Sequence, residues 1–231
     1  GRVLLIVTGH CGIHCRYCFR RHFPYADNQL SRPSWEQAFD YIRDDRSISE
    51  VILSGGDPLS VPDRHLQWML DRIGTISHVK RLRIHSRMPV VIAQRITAAL
   101  VAMLANTHLQ ASLVLHANHA NEIDNEVMQA LKPLRTAGVS LLNQAVLLRG
   151  INDDAQTLID LSERLFAAGV LPYYVHLLDQ VAGAAHFDIA QQHIAELRDA
   201  MLARLQGYLV PQFVREVPHA VSKIPFLSSC D

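Results

Sequence analysis

The sequence predicts an α/β fold of six parallel strands, each followed by a helix, arranged as a partial (β/α)6 TIM-like barrel. Three observations lead there. Apolar runs of strand length alternate with longer amphipathic stretches, which is the pattern of repeated βα units. The runs themselves, such as Val51-Ile52-Leu53 and Leu113-Val114-Leu115, are continuously apolar, as strands covered on both faces require. Reactive polar residues recur at or just after the ends of those runs, where barrels of parallel strands carry their active sites. A doubly wound sheet shares the first two features, and periodicity alone does not separate the two.

Strands are expected at 2–8, 50–54, 80–85, 109–116, 139–147 and 171–178. Helices are expected at 34–45, 62–74, 93–105, 122–137, 153–168 and 188–206. Ser34 with Gln37 reads as a capping box for the first helix. Gly138 and Gly169 stand where helices should end. Pro133 predicts a kink or an early stop in the fourth helix. Residues 1–206 are expected to form the core and 207–231 a C-terminal segment. The chain opens directly in strand-like sequence, Gly-Arg-Val-Leu-Leu-Ile-Val-Thr, so a region upstream is expected to be missing. The rim of strand ends would carry Cys11, Ser54-Gly55-Gly56-Asp57, His85-Ser86-Arg87, His116, Gln144 and Asp179.

Composition narrows the function. With 49% hydrophobic and 19% charged residues, the chain has the make-up of a folded domain. Its 22 basic and 22 acidic residues cancel, which leaves no electrostatic footprint for a nucleic-acid partner. No apolar run reaches membrane-spanning length. Three of the four cysteines lie within eight residues. That clustering suggests metal binding in a reducing compartment, and no signal peptide is visible; a cytoplasmic location is expected.

Residues 11–18 read Cys-Gly-Ile-His-Cys-Arg-Tyr-Cys. Cys11, Cys15 and Cys18 on one loop after a strand suit three irons of a [4Fe–4S] cluster, whose ligands are cysteine sulfurs. Three ligands for four irons leave one iron open. Zinc also fits the spacing, with His10, His14 or His22 as its fourth ligand. Spacing alone leaves both open. Cys230 reads as a tail residue rather than a fourth cluster ligand.

The triad after a first strand, with Tyr17 just before its last cysteine, resembles the signature of radical S-adenosylmethionine (SAM) enzymes. The resemblance implies that the open iron binds SAM, that the reduced cluster cleaves it to a 5′-deoxyadenosyl radical, and that Tyr17 packs near the adenine. Ser54-Gly55-Gly56-Asp57-Pro58 resembles that family's contact to the amino group of SAM; glycines permit close backbone approach to a ligand. By itself a Gly-Gly-Asp run is ordinarily a turn. His116 and Gln144 would line the SAM or pyridoxal phosphate (PLP) pocket.

Further stretches resemble the lysine 2,3-aminomutase group. They are Cys18-Phe19-Arg20-Arg21-His22-Phe23-Pro24-Tyr25, Arg83 through Pro89, His119-Ala120-Asn121-Glu122, Leu142-Asn143-Gln144, Pro172-Tyr173-Tyr174 and Ala185-His186-Phe187. The Arg-His-Phe-Pro-Tyr stretch most resembles the bacterial type that forms β-lysine for elongation factor P. The resemblance implies PLP carried by Lys223, one of three lysines. Clostridial members place a glycine-rich run before that lysine; here it is Val217-Pro218-His219-Ala220-Val221-Ser222.

By the same resemblance, Arg20 binds the substrate carboxylate, a task suited to a bidentate guanidinium. Asp179 and Glu216 receive the ε-ammonium of lysine. The implied reaction exchanges an amino group and a hydrogen between C2 and C3 of L-lysine. A β-lysine ligase acting on elongation factor P would be the functional partner, and a homo-oligomer is compatible with the reading. A glutamate or arginine 2,3-aminomutase is the nearest alternative, although paired acids would repel a glutamate side chain. A non-catalytic zinc module is the more distant one.

Overall fold

Each apolar run of the sequence is a strand in the computed structural model, which describes residues 1–24, 31–218 and 220–226. The strands β1 (Arg2–Thr8), β2 (Glu50–Gly55), β3 (Arg81–Ser86), β4 (Gln110–Leu115), β5 (Ser140–Val146) and β6 (Leu171–His176) match expectation to within two residues. The helices are α1 (Arg32–Asp44), α2 (Asp63–Gly74), α3 (Met88–Val91), α4 (Ala98–Asn106), α5 (Asn125–Thr136), α6 (Ala155–Ala167) and α7 (Gln191–Arg204). Two further strands, β7 (Gln212–Arg215) and β8 (Ile224–Pro225), were not expected. At four and two residues they are too short to show a period. Within each compact unit the strands follow chain order, β1 to β4 in one and β5 to β8 in the other, whereas a doubly wound sheet reverses at its switch point.

The chain divides into two compact units. The first comprises residues 1–13, 23–115 and 129–141; the second comprises 14–22, 116–128 and 142 onward. In the first, β1 to β4 pair in parallel. Val51, Leu53, Leu82 and Ile84 are almost fully buried. The helices present apolar residues three or four positions apart, the spacing of one helical face: Trp35, Phe39 and Ile42 on α1, and Leu66, Met69 and Ile73 on α2. Phe39 packs between Trp35 and Trp68, with ring centroids 6.0 and 5.5 Å away. Each such burial contributes about 1.5–3 kcal/mol.

In the second unit β5, β6 and β7 are parallel, and β8 turns back antiparallel onto β7. Two pieces of the C-terminal segment, β7 and β8, are thus part of this unit's sheet. Leu158, Leu161 and Leu165 of α6 and Met201 of α7 are buried, and α6 packs on β6 and α7. Between Asn143 and Gln144 the register against β6 slips, so that Pro172 and Tyr174 are successive partners and Tyr173 is extra. Such bulges re-aim side chains beside functional sites.

Three local expectations need correction. The cap of α1 is Ser31, whose Oγ accepts from the Ser34 amide. Pro33 tolerates the first turn because it needs no N–H partner there, so the helix starts earlier than the Ser34–Gln37 pair implied. The helix expected at 93–105 is instead a 3-10 turn at Ala93–Arg95 followed by α4, capped by Thr97, and the short α3 precedes them. Arg95 is drawn out of that run to bind Leu59 O at 2.6 Å and Asp63 at 2.6 Å. Finally, α5 neither stops nor breaks at Pro133, and the Ala137 amide still donates to Pro133 O at 3.0 Å. Gly138 and Gly169 do follow helix ends at positive φ, 80° and 75°.

Pro133 is exposed and deprives α5 of one interior hydrogen bond. Pro133→Ala is therefore expected to raise the unfolding free energy by about 1–2 kcal/mol, after allowing for the looser unfolded chain. Urea denaturation measures this; an unchanged or lower stability would mean the ring's packing outweighs the missing bond.

Candidate active site

In the first unit, the ends of β1 and β2 come together at backbone distance. The Gly56 amide donates to Thr8 O at 2.6 Å and the Asp57 amide to His10 O at 2.7 Å. A Cβ on Gly56 would collide with the His10 carbonyl, and one on Gly55 would lie 2.8 Å from Thr8 O at a φ of +120°. The glycines expected to make room for a ligand make room for the chain leading into the cysteine loop. Ser54 precedes them near the end of β2 and is buried.

Asp57 is 6% exposed, and its carboxylate is filled by protein donors. Oδ1 accepts from the Leu59 amide at 3.0 Å and from Ser86 Oγ at 2.6 Å. Oδ2 accepts from the amides of Arg87 at 2.7 Å and Met88 at 3.1 Å. Four bonds match the four acceptor positions of a carboxylate. Asp57 therefore caps the turn after β2 and ties it to the end of β3.

The cysteine loop carries Cys11 in the first unit and Cys15 and Cys18 in the second. Two successive turns, Cys18 N to Cys15 O at 3.2 Å and Arg21 N to Cys18 O at 3.1 Å, place the last two cysteines at corners. All three are outside disulfides; Cys11 is exposed and the other two half-buried. Among the described residues no three His, Cys, Asp or Glu side chains converge on a metal-ion position. That holds for the triad and for the zinc set with His10, His14 or His22 alike. The donor chemistry of the triad, three accessible thiols on one short loop, fits an iron–sulfur cluster. Tyr25, His219 and Cys230 lie outside the described residues.

Within the second unit the loop is laced to residues 182–187. Arg21 donates to Ala182 O at 3.0 Å and to Arg16 O at 2.9 Å. Arg16 meets His186 at 3.2 Å and lies over the Phe187 ring. Arg20 stacks on Phe19, 4.8 Å from its centroid. Tyr17 and His116 are brought together, their polar atoms 3.3 Å apart. Asn118 donates to the Tyr17 hydroxyl at 2.6 Å and accepts from the Val146 amide at 2.9 Å. Asn152 donates to the carbonyls of Asn118 and Val146, and Asn143 brackets both backbone atoms of Ala117. These three asparagines are at most 3% exposed and set where Tyr17 stands.

A second cluster forms at the ends of β6 and β7. Because Ile224 pairs with Arg215, Lys223 returns beside Glu216, and its Nζ makes an ion pair with Glu216 Oε1. The same ammonium lies 5.5 Å from the Tyr174 ring centroid. Gln144 is the β5 partner of Tyr174. Burial, then the negative charge of Glu216, push the Asp179 carboxyl above its ordinary range, against an opposing pull from Lys223. His176 stands edge-on to Tyr174 with centroids 5.7 Å apart. Burial first, then the Lys223 charge, lower its pKa from 6.5 to about 4, against Glu216. Its Nε2 is buried with no hydrogen-bond partner among the described residues.

Sequence reasoning named Lys223, Glu216, Asp179, Tyr17 and His116 but gave no role to His176, Asn118 or Asn152. The signal for His176 was its position: it ends a strand, as the other rim residues do.

A family model described as the radical SAM superfamily matches residues 5–162. The chain is 52% identical over 224 residues to the L-lysine 2,3-aminomutase of Escherichia coli K12, covering 97% of this chain and 66% of that protein. It is 50% identical over 216 residues to the L-lysine 2,3-aminomutase of Haemophilus influenzae, covering 94% and 64%. It thus spans just under two thirds of the length of these relatives. Among solved structures, Streptococcus suis SuiB bound to S-adenosylmethionine superposes with a TM-score of 0.65 at 16% identity, over 94% of this chain and 51% of that one. That likeness bears on the fold.

Two outcomes follow from this geometry. Asp57→Asn turns an amide NH2 toward two donors and is expected to cost about 2–4 kcal/mol in urea denaturation; a neutral result would mean the carboxylate bracket is dispensable. His176 stays neutral in the fold down to about pH 4, whereas its ordinary pKa is 6.5. Between those values the unfolded chain binds the extra proton, so stability falls as pH drops from 6.5 to 4. Thermal melts of His176→Phe across that window should show a shallower decline than the parent.

Proposed function

Since the chain belongs to the radical SAM superfamily, we propose that it converts L-lysine to β-lysine by exchanging an amino group and a hydrogen between C2 and C3. The observation that supports this most is the cluster of Lys223, Glu216 and Asp179. Lys223 carries the same ammonium as a lysine substrate, and its seat against Glu216 indicates that this acidic corner accepts such a group. The names of the Escherichia coli and Haemophilus influenzae relatives point the same way.

On this reading Cys11, Cys15 and Cys18 hold a [4Fe–4S] cluster, with SAM beside Tyr17, His116 and the Ser54–Asp57 turn. Lys223 holds PLP. When bound, the cluster with SAM supplies the hydrogen-abstracting radical and PLP supplies the π-system that supports amino migration. Lys223 must lose a proton from Nζ before it can act as a nucleophile, so its ion pair with Glu216 parts before it attacks. Asp179 sits half-buried, its carboxyl pushed above the ordinary range by burial and by Glu216; an incoming ammonium is the charge that would pair with it. Arg20 binds the α-carboxylate through its planar fork. Gln144 orients groups over Tyr174. Two acids at the distal end repel a glutamate side chain and so favour lysine over that alternative.

The finer reading is that the β-lysine serves elongation factor P, through a ligase in the cytoplasm. No described helix is long and apolar enough to cross a membrane, and the balanced charge does not suggest nucleic acid as a partner.

The test is anaerobic reconstitution with iron, sulfide and PLP, then incubation with L-lysine, SAM and a strong reductant. β-Lysine should accumulate, vanish in Lys223→Ala, and show a KM for lysine raised at least about tenfold in Asp179→Asn. SAM cleavage without β-lysine would overturn the lysine assignment. Zinc in place of the cluster would overturn the radical chemistry itself.

A further inference from the structure

A buried imidazole nitrogen without a partner calls for an explanation, because such a group costs about 1–3 kcal/mol relative to one that is satisfied. Among the described residues, His176 Nε2 is in that position. It is not in a featureless core. The residue ends β6, its β7 partner is Val214, and Val214 pairs with Pro225 of β8, two residues after Lys223. The charged groups acting on it are Lys223 and Glu216, and those same two act on Asp179. Tyr174, which stands edge-on to it, also faces the Lys223 ammonium. A neutral imidazole can donate from Nε2 without adding a second cation beside Lys223.

What would take that hydrogen? The acids Asp179 and Glu216 already offer sites to an ammonium, so an acceptor histidine would add little. An anionic oxygen on a group attached to Lys223 is the complementary partner. We propose that His176 is a cofactor-binding residue whose Nε2–H donates to an anionic oxygen of PLP held at Lys223. This rests on the reading that Lys223 carries PLP.

The experiment compares the parent protein, His176→Phe, His176→Gln and Lys223→Ala. Phe keeps a ring of similar size without the donor; Gln retains an N–H at similar reach. PLP is titrated into the reconstituted proteins by absorbance, and attachment is trapped with borohydride and located by mass spectrometry. His176→Phe should bind PLP about ten- to a hundredfold more weakly, and His176→Gln within about threefold of the parent. Unloaded His176→Phe should melt no lower than the parent at neutral pH, because it deletes an unsatisfied atom. A purely structural role would instead lower its melting temperature.

Equal PLP affinity in His176→Phe, or an equal loss in His176→Gln, would overturn the assignment while trapping on Lys223 in the parent still stood. Absence of any Lys223-dependent trapping in the parent would remove the PLP reading, and this inference with it.

Discussion

Four donors converge on one buried carboxylate, and much of the first unit's functional end depends on them. Asp57 is almost out of water, where an uncompensated charge would be strongly destabilising. Its four bonds reach the turn after β2 and the end of β3. With those two strand ends joined, the Gly55–Gly56 backbone can sit against Thr8 and His10, which determines how the chain leaves β1 toward Cys11. The second unit solves the equivalent problem with neutral groups. Asn118, Asn143 and Asn152 satisfy loop backbone and hold the Tyr17 hydroxyl. In both units a buried polar network, rather than apolar packing, defines the position of a loop that the proposed chemistry needs.

The strands and helices were legible because they obey simple periods. Val51-Ile52-Leu53 and the Trp35–Phe39–Ile42 spacing announce a strand and a helix face without tertiary information. What escaped was set by longer-range partners. Arg95 leaves an apparently continuous helix because backbone oxygens near 59–61 and Asp63 attract it. The strands β7 and β8 exist because β6 offers an edge, which no local pattern in four residues can show. Pro133 was read by its missing hydrogen bond, but its exposed position lets α5 continue around it.

The candidate site was legible by residue type more than by role. Ser54-Gly55-Gly56-Asp57 and His119-Ala120-Asn121-Glu122 stand out in the sequence, yet much of what they do is architectural. Glu122 accepts from the amides of Asn118 and His119, and the His119 ring accepts from the Asn121 amide, a reciprocal cap. Glu216 was expected to face a substrate ammonium; in the fold its partner is Lys223, a pairing that depends on the antiparallel return of β8. Pattern shows that a polar residue at a strand end matters. Only the hydrogen-bond partners show whether it meets a ligand or the chain.

The Lys223–Glu216 pair has a thermodynamic consequence. A tethered ammonium is an intramolecular competitor for any free ammonium seeking the same acid, and tethering through a short segment gives it an effective concentration on the order of millimolar. Converting Lys223 into the attachment point of a cofactor removes that competitor. Cofactor loading and affinity for an amino-acid side chain are then linked, each strengthening the other by the same factor. The unloaded chain holds its own acidic corner shut with the functional group it is proposed to select.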